Sequence, residues 1–412
     1  MIPKPSLWRT FWGSVEFKLL LAWSAVVLIT ALLDSGHTYY YQSASSAELI
    51  LRNTVLLGFF ALGSSVIIIS GGIDLSSGSV IALSATVFGA LLILLDPDGF
   101  SKGSISTTAV LLAIAGTLLV GVMIGTLHAW LITAVGLPPF IATLATLVGL
   151  RSFGRALAPI MMNGKSQIDF PDRALRNVLK DVTSISILFV ILAILVWIVM
   201  SKTVTGRHLH AMGGNEQAAR LSGIRTDRLK WFAYVLGAVT ASIVGIISFA
   251  DQGSAKPDIM ARGYELNAIA SSVIGGCSLQ GGIGTIPGVV LGCLFLRTVI
   301  DAVSKIVGTG SDVYEGMIVG IVVVLAVTFS QRVDRSAIKK YFSTPIGWAS
   351  IPVLGLTAGI GLLLFFGNQA WYSPMKGILF GVFVTICLAG RALYETVIHK
   401  PVMQKPLIQK PK

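Results

Sequence analysis

Charge is what this 412-residue sequence has least of: Asp, Glu, Lys and Arg make up 12% of it, against 54% hydrophobic residues. Soluble domains carry about 25% charged residues. A larger soluble core does not explain the deficit, because a soluble surface still needs solvation; a surface that mostly faces lipid does. Cysteine is also scarce. Cys277, Cys293 and Cys387 all stand in apolar stretches, and their spacing excludes a disulfide framework or a cysteine-based metal site, which leaves them as small packing residues. The five histidines are scattered, and His208 and His210 have no neighbouring ligand residues, so no bound metal is expected. A phosphate loop of the form G-x-x-x-x-G-K-[ST] is missing. The nearest approach, Gly99-Phe100-Ser101-Lys102-Gly103-Ser104, has the residue types in the wrong order, so the chain does not hydrolyse nucleotide by that route. No cofactor is expected.

Apolar runs and glycine are abundant, with 44 glycines, and glycine is more frequent in membrane helices than in soluble ones. The net charge of +12 raises the possibility of nucleic acid, but its distribution argues against it. More than half of the 31 Lys and Arg fall in four blocks: Lys4, Arg9 and Lys18; residues 201–230; residues 330–342; and the tail from Arg391. Hydropathy predicts helical spans near 17–33, 50–69, 79–95, 108–134, 139–157, 185–200, 231–250, 264–276, 287–305, 313–330, 347–367 and 375–391. The first of these reads as a retained helix rather than a signal peptide, because Leu32-Leu33-Asp34 is a poor cleavage site. With the N-terminus inside, this span count puts all four basic blocks and both termini on the cytoplasmic side. Asp96, Asp98, Asp169, Asp172, Asp181, Asp251 and Asp258 then fall in loops on the opposite side. The segment 264–276 is short and is a candidate half-helix. The expected fold is all-α, a polytopic membrane protein. The loop 158–184 has room for a short helix at most.

Two apolar stretches are interrupted alike. Gly71-Gly72-Ile73-Asp74-Leu75-Ser76-Ser77-Gly78 and Gly275-Gly276-Cys277-Ser278-Leu279-Gln280-Gly281-Gly282 both fit G-G-x-x-L-x-x-G. Non-helical backbone at membrane depth persists only where protein or a water-filled cavity satisfies it, and paired breaks in two halves of a transporter mark its pathway. The candidate path residues are Gly71, Gly72, Asp74, Ser76, Gly275, Gly276, Ser278 and Gln280. Asp74 has two readings, a cap for the helix that follows or a solute contact.

Residues 206–230 read GRHLHAMGGNEQAARLSGIRTDRLK. Gly213-Gly214 reads as a flexible break, Asn215 as an N-cap, Glu216–Leu221 as a short helix and Gly223 as its stop. A short capped helix between two spans suits docking into a groove on a partner. Together with GGIDLSSGSVIAL at 71–83, GLPPFIATLATL at 136–147, GGNEQAARLSGI at 213–224 and GYELNAIASSVIGGCSLQGGIGT at 263–285, this loop resembles the permease subunits of bacterial ABC importers for monosaccharides, the ribose, galactose and xylose type. The resemblance covers residues 45–335. It implies an inner-membrane permease that is paired with itself or a similar chain, fed by a periplasmic binding protein and driven by cytoplasmic ATPase subunits. It also implies that Gly214, Asn215, Glu216, Ala218, Ala219, Gly223 and Ile224 contact the ATPase. Such permeases usually end after about ten spans, so residues 1–340 read as the permease core and 341–412 as an added pair of spans with a basic tail. Trp348, Trp371 and Tyr372 lie near the expected interfaces of that pair.

Thr143 and Thr146 share a helix face and either line the path or bond back to their own backbone. Pro138-Pro139 suits a first helical turn. Arg297 and Asp301, four apart, are expected to form an intrahelical ion pair. Glu265 either meets a periplasmic partner or begins a helix, where the dipole favours it. Two readings rival the importer. A transporter driven by an ion gradient would need intramembrane acids, for which only Asp74 and Asp301 qualify. A membrane enzyme would need clustered polar groups, which the sequence lacks.

Overall fold

The computed structural model describes residues 14–34, 36–307, 315–321, 324, 345–366 and 374–397. Lys4, Arg9, the block at 330–342, Trp371, Tyr372, the tail beyond 397 and most of the expected span at 313–330 lie outside the described residues. Nine of the described helices are long and apolar enough to cross a membrane. They are α1 (Val15–Leu33), α3 (Ser43–Ile69), α4 (Ser77–Leu95), α6 (Thr107–Thr133), α7 (Pro139–Met161), α9 (Val182–Lys202), α12 (Thr226–Gln252), α14 (Ile286–Val307) and α16 (Pro374–Val397). Shorter helices are α2 (Thr38–Tyr41), α5 (Pro97–Lys102), α8 (Arg173–Leu179), α10 (Val204–Gly214), α11 (Glu216–Leu221) and α13 (Tyr264–Ile274), with α15 (Pro345–Phe366) making a pair with α16. The protein is an all-α polytopic membrane protein.

Three of the loop acids are helix starts. Asp96, Asp172 and Asp181 cap α5, α8 and α9 by accepting the N–H of Gly99, Leu175 and Ser184 at 2.9, 2.9 and 2.8 Å. The N–H groups of Ser106 and Gly99 hold the Asp96 carboxyl below the usual carboxylate range, and that of Ser184 does the same for Asp181. These caps therefore stay ionised to lower pH than a free carboxylate and are lost only as pH falls through the lowered value. The loop at 158–184 holds α8, as its length allowed, and also the two-residue strand β1 (Ile168–Asp169). This strand pairs antiparallel with β2 (Ser254–Ala255).

Helix α12 is the centre of the larger unit and packs against α3, α4 and α6. Lipid offers no hydrophobic drive between helices, so close approach of small residues and interhelical hydrogen bonds have to hold the contact. A Cβ on Gly63 of α3 would stand 2.6 Å from Gly237 Cα of α12, so Gly63 has to be glycine for the crossing to close. Ser84 of α4 donates to Ser242 of α12 at 2.9 Å. At the end by β2, Phe249 stacks on Phe170 at 4.6 Å and meets the edge of Phe88. Helix α1 lies along α14. Trp23 Nε1 donates to Thr298 Oγ1 at 3.0 Å, and Thr285 Oγ1 donates to Glu16 Oε1 at 2.8 Å.

The half-helix reading of 264–276 is met, and one expectation changes. The span at 264–276 is the 11-residue helix α13. At 1.5 Å per residue it covers roughly 16 Å, about half a bilayer core. The pair Arg297–Asp301 does not form. Arg297 Nη1 bonds Glu315 Oε1 at 2.9 Å, and Glu315 also accepts from Asn267 Nδ2 at 2.7 Å. Asp301 pairs instead with Lys305 at 3.1 Å and accepts from the Tyr39 hydroxyl at 2.8 Å. Position i,i+4 makes a pair available, but each charge here finds a better-placed partner, and Asp301 takes the other i,i+4 neighbour.

The chain divides into two compact units, Met1–Gln331 and Arg332–Lys412. In the smaller one, α15 and α16 form a hairpin whose contact is two G-x-x-x-G patterns, Gly355/Gly359 and Gly377/Gly381. A Cβ on Gly359 would lie 2.9 Å from Gly377 O, and one on Gly381 2.7 Å from Gly355 O. Overpacking such a contact costs about 1–3 kcal/mol. Gly381→Leu should therefore push the two helices apart and speed limited proteolysis of the α15–α16 hairpin in detergent. Gly361→Leu, at a glycine with open space beside it, should leave that rate unchanged.

Candidate functional site

The first break follows α3. Ser70 ends the helix, Gly71 adopts φ +86°, and regular helix resumes at Ser77. Asp74 Oδ1 accepts from the Ser76 N–H at 2.8 Å and from the Ser76 hydroxyl at 2.6 Å. Asp74 thus closes a local turn onto Ser76, the residue that precedes α4, and α4 itself has no side-chain cap. Around this turn is a buried polar cluster from three other helices. Ser76 Oγ lies 3.4 Å from His128 Nε2 of α6, which in turn lies 2.7 Å from Thr146 Oγ1 of α7. Tyr234 of α12 donates to Ile73 O at 3.3 Å, with its ring edge-on to His128. Thr143 donates to Pro139 O at 2.9 Å, back into its own helix, and Thr146 lies 3.1 Å from Ala142 O. Both threonines are buried in the contact with the first break.

The second break follows α13. Its backbone folds into a tight loop in which Ser278 N–H donates to Ile283 O at 3.0 Å and Gly281 N–H donates to Ser278 O at 2.9 Å. Gly276, Gly281 and Gly282 all have positive φ, which only glycine adopts without strain. Gly275 packs on the backbone of Gly288 in α14, and Gln280 points out to the exposed side.

The breaks touch each other and the loop between α9 and α12. Gly282 N–H donates to Ile69 O at 2.8 Å, so the second break satisfies a carbonyl that the end of α3 leaves open. Gly213 of α10 fits against that same bond, beside Ile69 O and Gly282 N, with no room for a Cβ. A Cβ on Gly281 would stand 2.9 Å from Gly71 Cα, and one on Gly282 2.9 Å from Gly214 Cα. His210 Nδ1 lies 3.0 Å from Gly282 O, which can only accept, so that nitrogen carries the proton and donates. Gly213-Gly214 is thus not a flexible break but the last turn of α10, packed backbone to backbone.

Helix α11 is built as expected. Asn215 caps it through the Ala218 N–H at 3.0 Å. Gly223, at φ +83°, closes it, with Gly223 N–H donating to Arg220 O and Ile224 N–H to Ala219 O. Glu216 is held by Lys230 at 2.6 Å. Gly214, Asn215, Ala218 and Gly223 are exposed, whereas Ala219 is turned inward. The apolar residue that ends this helix, Leu221, is 90% exposed and was not singled out in the sequence.

On the far side of the first break, the chain leaving α12 turns back along α4. Arg151 of α7 holds this segment through Pro257 O and Met260 O, both at 3.0 Å. Glu265 begins α13 and lies against Gly78, not at an outer surface, while Tyr264 stacks on Phe60. Among the described residues, His128 Nδ1, Ser77 Oγ and Glu265 Oε2 are buried without a hydrogen-bond partner. His128, Tyr234 and Arg151 escaped the sequence reading, although His128 and Arg151 carry the one available signal, an ionisable side chain inside an apolar span.

The family described as branched-chain amino acid transport system / permease component matches residues 46–327, so the α15–α16 hairpin lies outside the match. A probable ABC transporter permease from Sinorhizobium fredii is 34% identical over 332 residues, covering 78% of this chain and 92% of that one. The ribose import permease protein RbsC of Escherichia coli is 31% identical over 77% of this chain and 94% of its own length. The autoinducer 2 import system permease protein LsrC of Photorhabdus laumondii is 32% identical over 69% and 80%. No solved structure matches the chain. The chain belongs to the branched-chain amino acid transport system / permease component family: it is a membrane-spanning permease subunit of an ABC importer, with ATP hydrolysis left to a separate ATPase.

Proposed function

We propose that this permease carries a sugar-like, polyhydroxylated solute into the cytoplasm, working with a second permease subunit, a cytoplasmic ATPase docked on α10–α11 and a periplasmic binding protein on the opposite face. Residues 1–340 would be the working core and 341–412 an addition to it. Both termini and α11 would then face the cytoplasm of a bacterial inner membrane. The observation that carries this reading is the contact of Gly213 with both breaks, because a helix offered to a partner is thereby also in touch with the irregular backbone of the path. The solute class is supported by the relatives named for ribose and autoinducer 2 import. It is also supported by the unpartnered hydroxyl, imidazole and carboxylate at Ser77, His128 and Glu265, groups that suit hydroxyls better than an aliphatic side chain. A gradient-driven mechanism has less support, because Asp74 is taken up by Ser76 and Asp301 by Lys305.

The direct test is uptake into proteoliposomes holding the permease, its cognate ATPase and its binding protein, with labelled ribose and labelled leucine as probes. Ribose should accumulate only with ATP, and collapse of the proton gradient should not matter. Accumulation of ribose without ATP would sink the importer reading, and ATP-dependent leucine uptake without ribose uptake would sink the solute class.

The docking surface generates its own prediction. Burying a leucine side chain contributes roughly 1.5–3 kcal/mol, or about 10- to 100-fold in affinity. Leu221→Asp, at an exposed site, should lower co-purification of the ATPase by about that much and uptake with it, while membrane insertion stays normal. Undiminished ATPase binding would move the docking surface elsewhere.

A further inference from the structure

The lever formed by α10 and α11 meets the two breaks by different routes. Helix α11 is clamped to the first turn of α12: Glu216 bonds Lys230, and Arg220 reaches Thr226 at 3.1 Å and Asp227 at 3.2 Å. One turn beyond Lys230, Tyr234 puts its hydroxyl on Ile73 O, and a Cβ on Gly72 would stand 2.7 Å from that oxygen. Tyr234 is 2% exposed and lies between the first break and His128. Helix α10 takes the other route, donating from His210 to Gly282 O in the second break. The Gly282–Ile69 bond between the breaks is 2.8 Å long and has Gly213 wedged beside it. A displacement of α10 and α11 therefore has two side-chain routes to the breaks, through α12 and Tyr234 and directly through His210.

We infer that Tyr234 and His210 are positioning residues that deliver lever movement to the two breaks separately, Tyr234 to the first and His210 to the second. The inference rests on the reading of α10–α11 as the ATPase-docking lever. Its specific content is a division of labour. Removing one contact uncouples one break and spares the other, which a general packing role would not do.

The chain carries its own reporter. Cys277 is buried in the second break, 1% exposed. With Cys293 and Cys387 changed to serine, its rate of alkylation by N-ethylmaleimide follows that break in the reconstituted complex with the ATPase. For the first break, Ser70→Cys is combined with Cys277→Ser. Trapping ATP with vanadate should change each rate by about fivefold or more. His210→Ala should abolish the change at 277 and keep it at 70, and Tyr234→Phe should do the reverse. His210→Gln, whose side-chain amide can donate to the same carbonyl, should restore the response at 277. The inference is overturned if both variants respond like the parent, if either variant flattens both positions, or if the parent complex shows no nucleotide response at either break. If the ATPase does not co-purify with the parent chain at all, the docking reading itself has failed, which the purification reveals before any labelling.

Discussion

The bond from Gly282 N–H to Ile69 O is the constraint around which this permease is organised. A helix that stops within an apolar bundle leaves carbonyls open, and an unsatisfied backbone group away from water costs several kcal/mol. Here two interrupted helices solve the problem for each other. The end of α3 receives a donor from the loop after α13, and the approach is possible because Gly71, Gly213, Gly281 and Gly282 bring bare backbone together. The remaining exposed groups of the first break are met by side chains, with Asp74 on the Ser76 N–H and Tyr234 on Ile73 O. The two breaks and the α10–α11 segment are thus not separate modules joined by a linker. They share one hydrogen bond and its glycine surroundings.

That arrangement also assigns different tasks to residues of similar appearance. Asp74, an acid in an apolar region, is spent on a local turn. Arg151 is spent on holding a returning strand of backbone. Ser77, His128 and Glu265, by contrast, keep bonding capacity that no protein group in the described residues takes up.

Much of the fold was legible in the sequence, because hydropathy and length are local quantities. Most of the expected spans coincide with long helices, and the cap and stop of α11 were readable from Asn215 and Gly223, whose roles depend on neighbours within a few residues. The repeated breaks were legible as a pattern, yet nothing in the pattern says that Gly282 meets Ile69. That contact joins segments more than two hundred residues apart in sequence. The Arg297–Asp301 expectation failed for a related reason. Helix periodicity finds every i,i+4 pair but does not rank them against Glu315, on another segment, or Lys305, one turn further along. Ala219 shows the same limit at smaller scale, since an amphipathic six-residue helix does not reveal which side its bundle covers.

The α15–α16 hairpin has a consequence of another kind. Its two G-x-x-x-G faces satisfy each other, and the family match ends before it begins. Two apolar helices that pack on one another can enter a bilayer together and return the chain to the side it left. Such a pair can be appended to, or lost from, the end of a gene without inverting anything upstream. Membrane topology is conserved under addition of an even number of crossings, so lineages can experiment with a self-contained pair where a single added helix would relocate whatever follows it.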